Sequence, residues 1–321
     1  MTSVPSAPAA VTVRVPAKVN LQLAVGPLRA DGYHGLVTVY QAISLYDEVT
    51  VRPAAERTRV KVSGEDAASV PPGPTNLASK AVTALARAAG RRDRLVQIEI
   101  RKRIPMAAGL AGGSADAAAA LVACNELWRT GLTQRELCVI GAGLGSDVPF
   151  ALVGGTAVGR GRGEEVTAAL VAGSYHWAVA FATGGLSTPD VYATCDRLRA
   201  VRAAGDGAAP KVPEPELSGP LMAALRSGDP AAVGPRLHND LQPAAISLRP
   251  ELRRALTAGR EYGAVGAIVS GSGPTCAFLA ADAAHARDLA VSLTGAGICR
   301  AVAVASGPVP GAAVVPARET V

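Results

Sequence analysis

The sequence predicts an α+β protein of two domains sharing a cleft. Three observations lead there. The chain has 321 residues, about twice the length of an ordinary domain. Segments with strand periodicity and segments with helical periodicity are mixed without the strict alternation of a doubly wound sheet. Hydrophobic residues make up 49% and charged residues 18%, a balance that suits filled cores rather than disorder.

The elements follow in order. Residues 1–10 are small and Pro-containing, and are expected to fray. VTVRVPAKVNLQLAV, 11–25, alternates as a strand broken near Pro16, and DGYH, 31–34, reads as a turn. Val- and Thr-rich segments at 36–52 and 58–63 are further strands. TNLASKAVTALARAAG, 75–90, is a helix that Thr75 or Asn76 caps and Gly90 stops. LVQIEIRKR, 95–103, is a strand with Val96, Ile98 and Ile100 on one face.

From 104 the chain passes through a glycine loop into a long Ala-rich helix, then a second helix at 133–141, then GSDVPF, then a strand near GGTAVGRG. HWAVAFAT, 176–183, is a strand; STPDVYATCDRL opens a helix with Ser187 or Thr188 as cap and Pro189 in its first turn. Residues 201–217, rich in Ala, Gly and Pro, read as a surface loop. The remainder reads as helices at 217–227 and 249–259, strands at 265–269 and 275–280, a helix at 283–294 and a strand at 299–305. The domain boundary is expected between 160 and 185, giving domains over 11–170 and 171–310 and a flexible tail over 311–321.

Net charge is +6, carried mostly by scattered arginines. Without a basic stripe interleaved with aromatics, nucleic acid is not the expected partner; anionic small molecules fit better. The five cysteines are odd in number and form no C-x-x-C pair, so neither a zinc site nor a disulfide framework is expected, and a reducing compartment is. No secretory leader and no apolar run of about 18 residues is visible, so the expectation is a cytoplasmic protein that does not engage a membrane.

Three constellations carry chemistry. Pro105-Met106-Ala107-Ala108-Gly109-Leu110-Ala111-Gly112-Gly113-Ser114 leads into a helix, with Asp116 one turn in. Glycines let backbone amides approach a phosphate, and the helix N-terminus adds partial positive charge in the same place. The Ser114 hydroxyl is a candidate contact for a phosphate or for Mg²⁺. On these residues alone, a strand-to-helix turn that needs glycine for steric reasons fits equally well. The loop is not a Walker A loop and lacks the Rossmann spacing. Second, Lys18 and Asn20 in PAKVN, together with Asp147 in GSDVP, are the groups that phosphoryl transfer to an alcohol requires: a base for the hydroxyl proton and an ammonium for developing charge. As isolated residues they also read as solvated or capping side chains. Third, SGSGPT, 270–275, is a second glycine loop, or a plain hairpin turn.

At these three places the chain resembles the GHMP kinases, a family named for galactokinase, homoserine kinase, mevalonate kinase and phosphomevalonate kinase. The resemblance spans Val11 to Phe278, with its three motifs in order. It implies a ribosomal-S5-like N-terminal domain and a ferredoxin-like C-terminal domain, with ATP and Mg²⁺ at a site between them. The stretches 16–25, 29–49, 109–118, 145–150, 154–164 and 270–275 resemble one branch of the family, whose acceptor is a sugar alcohol carrying a cytidine diphosphate. By this resemblance Asp147 is the base, Lys18 orients the hydroxyl and Asn20 places the sugar alcohol. Residues 105–114 wrap the phosphates, and Asn76 and Lys102 contact the adenosine. Tyr33 and His34 recognise the cytosine, Tyr192 closes from the other side, and Tyr40 and Thr188 lie nearby. Stacking on aromatic faces suits a neutral pyrimidine, and aromatics are only 3% of this chain. His176, His238 and His285 are read as structural.

Two departures stand out. Ala111 replaces a usual glycine, which demands a negative φ or a small distortion, and Ala115 replaces a serine, which leaves Ser114 more of the phosphate or Mg²⁺ contacts. Direct in-line transfer is expected, by a monomer or weak homodimer. The alternatives are a homoserine- or mevalonate-type kinase of the same family and a nucleotide-binding regulator without catalysis.

Overall fold

The computed structural model describes residues 9–91, 95–205 and 212–316. The expectations for residues 1–8, for 206–211 of the Ala-, Gly- and Pro-rich stretch and for 317–321 of the tail lie outside the described residues.

Two long antiparallel strands, β1 (Val11–Leu28) and β2 (His34–Pro53), form the spine of the first half. The strand does not break at Pro16; the pairing slips by a register shift between Pro16 and Ala17 and continues. A proline has no N–H for the ladder, so a bulge is the local solution. Then come β3 (Arg59–Gly64), α1 (Leu77–Ala88), β4 (Val96–Lys102), α2 (Gly112–Trp128), α3 (Gln134–Ala142), α4 (Val148–Val153), β5 (Thr156–Arg160) and β6 (Glu165–Ala168). The second half contributes β7 (Tyr175–Phe181), α5 (Thr188–Gly205), α6 (Gly219–Ser227), α7 (Pro230–Val233), β8 (His238–Asn239), α8 (Gln242–Leu248), α9 (Glu251–Glu261), β9 (Gly266–Val269), β10 (Cys276–Ala280), α10 (Ala283–Gly295), β11 (Ala301–Gly307) and β12 (Ala313–Val314).

The larger sheet runs β12-β1-β2-β4-β3, with β5 and β6 continuing from β2 and β8 pairing with β1. The smaller is a four-stranded antiparallel sheet in the order β11-β7-β10-β9. Its chain order, strand–helices–strand–strand–helix–strand, is the split βαβ arrangement expected of a ferredoxin-like unit. Helix α2 is apolar on nearly every side and packs on β1, β2, α1 and α4. Alanines at 115 and 117–120 let it sit close to the sheet while its N-terminus stays at the cleft.

One core includes Val13 and Val39 of the larger sheet and Trp177, Val179 and Leu279 of the smaller. Trp177 Nε1 donates to Gln41 Oε1 at 2.9 Å, and the amide of Ser306 donates to Ser44 Oγ at 2.8 Å. Both walls of the cleft therefore rest on shared packing.

Several expectations change. Helix α5 runs to Gly205, inside the segment read as loop. Ala313 and Val314, placed in a flexible tail, pair with Arg14 and Val13 of β1. The short elements α4, β6, α7, β8 and α8 were not expected; at two to seven residues they lack enough periods to be visible as patterns.

Candidate active site

The segment between β4 and α2 is held in an unusual backbone conformation. Ala107, Gly109 and Ala111 all take positive φ, at 48°, 75° and 61°. Of the negative φ or small distortion expected at Ala111, the negative φ is not taken up, and the backbone enters the left-handed region. Ala111 caps α2 in that conformation, with no side-chain hydrogen bond to the helix. For a non-glycine residue that conformation is strained, so the surrounding contacts must enforce it. Gly109 could carry no other side chain: a Cβ there would lie 2.1 Å from the Ser270 carbonyl oxygen. The first amide of α2 with an intrahelical acceptor is Ala115, bonded to the Ala111 carbonyl at 2.9 Å. The amides of Gly112, Gly113 and Ser114 precede it, without intrahelical partners and at the positive end of the helix dipole. All three residues line a cleft of about 770 Å³.

The carbonyl of Gly109 joins the three motifs. It accepts from Lys18 Nζ at 2.8 Å and from Ser270 Oγ at 3.1 Å. Lys18 Nζ also donates to Asn20 Oδ1 at 2.6 Å, and Asn20 Nδ2 donates to Thr38 Oγ1 at 2.8 Å. Gly271 closes over this group: a Cβ there would stand 2.9 Å from Lys18 Nζ. Burial holds the Lys18 ammonium below its ordinary pKa, while the charge of Asp147 pulls it back upward.

Asp147 stands at the head of α4, yet its carboxylate makes no capping bond to that helix. Oδ1 accepts instead from the Tyr40 hydroxyl at 2.9 Å. Tyr40 is fixed by stacking on Phe150, with ring centroids 4.7 Å apart, and its hydroxyl is driven well above the usual phenol pKa by burial and then by Asp147. The carboxylate is left at the cleft wall beside Lys18, oriented and free of the helix it begins.

Further along the cleft, His34 and Tyr192 stack on each other, centroids 5.3 Å apart and 26° between planes. His34 is buried, with Nδ1 2.9 Å from the Gly26 carbonyl oxygen and Nε2 3.2 Å from Asp196 Oδ2. Tyr33 is half exposed at the rim, and the Arg162 guanidinium lies 5.0 Å over its ring. His34 covers one face of Tyr192, and the two rings form an aromatic wall of the cleft. One turn before Tyr192 on α5, the Thr188 hydroxyl is 3.0 Å from that of Ser272, which ties α5 to the second glycine loop.

Lys18, Asn20, Tyr33, His34, Tyr40, Asp147, Thr188 and Tyr192 all line the one cleft, as do Ala107, Ala108, Gly109, Ala111, Gly112, Gly113 and Ser114. Leu110 is fully buried, and Pro105 and Met106 face a separate hollow behind the loop. Asn76 and Lys102 do not face the cleft as adenosine contacts would. Asn76 caps α1, accepting from the Ala78 amide at 2.8 Å and donating to the Pro71 carbonyl at 2.9 Å. Lys102 is enclosed between Asp47 and Asp116. Two contributors went unnamed in the sequence. Asn239 is buried and donates to the carbonyls of Val269 and Gly271 at 2.7 and 2.8 Å, so it holds the second glycine loop. Arg162 places a cation at the aromatic rim; its only sequence signal is the RGRGE run.

Comparison with known proteins agrees with this geometry. The family description "GHMP kinases N terminal domain" matches residues 76–155, and "GHMP kinases C terminal" matches 221–299. The chain belongs to the GHMP kinase family. A protein of Mycolicibacterium smegmatis named 4-diphosphocytidyl-2-C-methyl-D-erythritol kinase is 57% identical over 96% of this chain and 93% of its own. One of that name from Thermobifida fusca is 54% identical, covering 97% of this chain and all of its own. A crystal structure of 4-(cytidine 5'-diphospho)-2C-methyl-D-erythritol kinase superposes with a TM-score of 0.70 at 34% identity, over 92% of this chain and 98% of that one. Homoserine kinase from Cytophaga hutchinsonii superposes at 0.75 with 21% identity, over 98% and 100%, a likeness of fold.

Proposed function

We propose that this protein transfers the γ-phosphoryl group of ATP to the 2-hydroxyl of 4-diphosphocytidyl-2-C-methyl-D-erythritol in the non-mevalonate route to isoprenoid precursors. Relatives of that name, at 54–57% identity over nearly the whole chain, support the acceptor. The observation that carries the chemistry is the meeting of Lys18, the Gly109 carbonyl and the Tyr40-bound Asp147 at the open N-terminus of α2.

The amides of Gly112, Gly113 and Ser114, with the dipole of α2 behind them, hold the anionic phosphates. Asp147 accepts the proton of the acceptor hydroxyl as its oxygen attacks the γ-phosphorus in line and the bond to the β-phosphate oxygen breaks, releasing ADP. The Lys18 ammonium, anchored on Asn20 and Gly109, steadies the attacking oxygen and the charge spreading over the transferred group. The acceptor's cytosine end lies toward Tyr33 and the His34–Tyr192 wall, which reads an apolar face and a polar edge. Groups of three or more His, Cys, Asp or Glu that would hold a metal are absent among the described residues. Mg²⁺ arriving on ATP needs only one or two protein oxygens; Ser114 at the phosphate loop would supply one. Mg²⁺ would neutralise phosphate charge there. We take the working unit as 11–170 and 171–310 closing on this cleft, in a monomer or weak homodimer. Five free cysteines support a cytoplasmic setting.

An ADP-release assay on Asp147→Asn tests the base. The expected result is a kcat lower by roughly 10²–10⁴ with nucleotide binding retained; near-normal kcat removes Asp147 from the role. Equal turnover of sugar alcohols with and without the cytidine diphosphate overturns the acceptor.

A further inference from the structure

Directly beneath the phosphate loop lies a charged cluster that the proposed transfer leaves unused. Lys102 ends β4; its side chain has no exposed surface, and Nζ donates to Oδ2 of Asp47 on β2 and, at 2.8 Å, to Oδ2 of Asp116 on α2. Asp47 is equally enclosed, and its Oδ1 accepts from the amides of Arg103 at 2.6 Å and Ile104 at 2.9 Å. Asp116 Oδ1 has no hydrogen-bond partner. Burial drives the Asp116 carboxyl upward against the pull of Lys102.

Such clusters are expensive, and apolar residues of similar volume often fold as well or better. Here the cluster joins the two legs of the loop. Lys102 and the amides of Arg103 and Ile104 belong to the leg that enters, which Asp47 anchors to the central sheet, and Lys102 alone reaches Asp116 on the helix that leaves. Lys102 Nζ lies 3.2 Å from where a Cβ of Gly112 would stand, under the first amide that faces the phosphates.

We propose that Asp47, Lys102 and Asp116 form a positioning triad that fixes the Gly112, Gly113 and Ser114 amides in the arrangement that grips the nucleotide phosphates. This rests on the nucleotide-binding reading of the loop. The triad touches no substrate; it acts through the backbone it holds, so its effect falls on the nucleotide and not on the acceptor. The unusual left-handed Ala111 is one conformation it enforces, since Ala111 lies between the two tethered legs.

The test compares Asp116→Leu with Asp116→Asn by calorimetric titration of ADP and of a non-hydrolysable ATP analogue, alongside KM for the acceptor. Asn keeps an acceptor for Lys102, and its nucleotide Kd is expected within threefold of the unaltered protein. Leu cuts the tie to the outgoing leg and leaves Lys102 paired with Asp47; Kd is expected to rise at least tenfold, with acceptor KM unchanged and the circular dichroism spectrum retained. Should Asp116→Leu fail to fold, the apolar double variant Lys102→Met with Asp116→Leu carries the same expectation; failure of both to fold marks the cluster as structural only and overturns the proposal. Unchanged Kd in a folded Leu variant, or a parallel rise in acceptor KM, also overturns it. An unaltered chain that binds no nucleotide overturns the functional reading, and the triad's role with it.

Discussion

Tyr40 donates its hydroxyl to Asp147 Oδ1 at 2.9 Å, across 107 residues of sequence. Through this bond a carboxylate at a helix head faces the cleft instead of capping its own helix. A hydrogen bond to a charged group contributes about 1.5–3 kcal/mol. Tyr40→Phe keeps the stacking on Phe150 and removes only the hydroxyl. The expected result is a kcat lower by roughly tenfold, with KM for ATP close to the unaltered value and Tm lower by a few degrees. Steady-state kinetics with thermal unfolding check it; an unchanged kcat shows that Asp147 holds its position without Tyr40.

The ammonium of Lys18 sets an alkaline limit. Burial lowers its pKa below the ordinary 10.5 even though Asp147 opposes the shift. A lysine whose pKa is lowered loses its proton, and its charge, earlier as pH rises. The profile of kcat/KM for ATP, which reports the free enzyme, is expected to fall on its alkaline side below 10.5. In Lys18→Arg the guanidinium does not titrate in that range, so the alkaline limb should vanish from a lower plateau. An unmoved limb in that variant assigns it to another group.

Gly109 and Gly271 are fixed by close approach. A methyl at 109 would meet the Ser270 carbonyl oxygen at 2.1 Å with φ at +75°, and one at 271 would meet Lys18 Nζ at 2.9 Å. Alanine at 109 is expected to cost more than about 1 kcal/mol, a fall of at least 2–4 °C in Tm for a chain of this size, and to weaken nucleotide binding. Gly35→Ala, where nothing lies within 4 Å, serves as the control. Calorimetric scanning compares the two; equal Tm values would show that the loop shifts to admit a methyl.

The aromatic wall is expected to serve the acceptor alone. Stacking of a base on an aromatic ring contributes about 1–3 kcal/mol by alanine replacement. Tyr33→Ala and Tyr192→Ala should each raise KM for the cytidine-bearing acceptor by roughly fivefold or more and leave KM for ATP unchanged. Loss of Tyr192 also uncovers one face of His34, so its effect should be the larger. If both variants keep the unaltered acceptor KM, the cytosine lies elsewhere.

Much of the fold was readable because its signals are local. Helix α1 starts at the Asn76 cap, and β4, β7 and α10 sit within two residues of their predicted limits. The limits failed where a partner far along the chain decides the outcome. Ala313 and Val314 look like tail residues until β1 offers an edge to pair with. Lys102 looks available for a ligand until the carboxylates of Asp47 and Asp116 enclose it.

By itself the sequence determined the glycine loops, the Ala-rich helix that follows the first of them, the presence of Lys18 and Asp147, and the family these motifs resemble. Each is a property of neighbouring residues, whose steric freedom and hydrogen-bonding capacity are written in their side chains. Tertiary structure alone decided that Lys18 meets the Gly109 carbonyl, that Asp147 leans on Tyr40, that Ala111 accepts a left-handed backbone, and that Lys102 lies under the loop instead of beside the nucleotide. Those relations join residues 14 to 107 positions apart. They exist only once two sheets share a core, because long-range contact is a consequence of packing and not of any local preference.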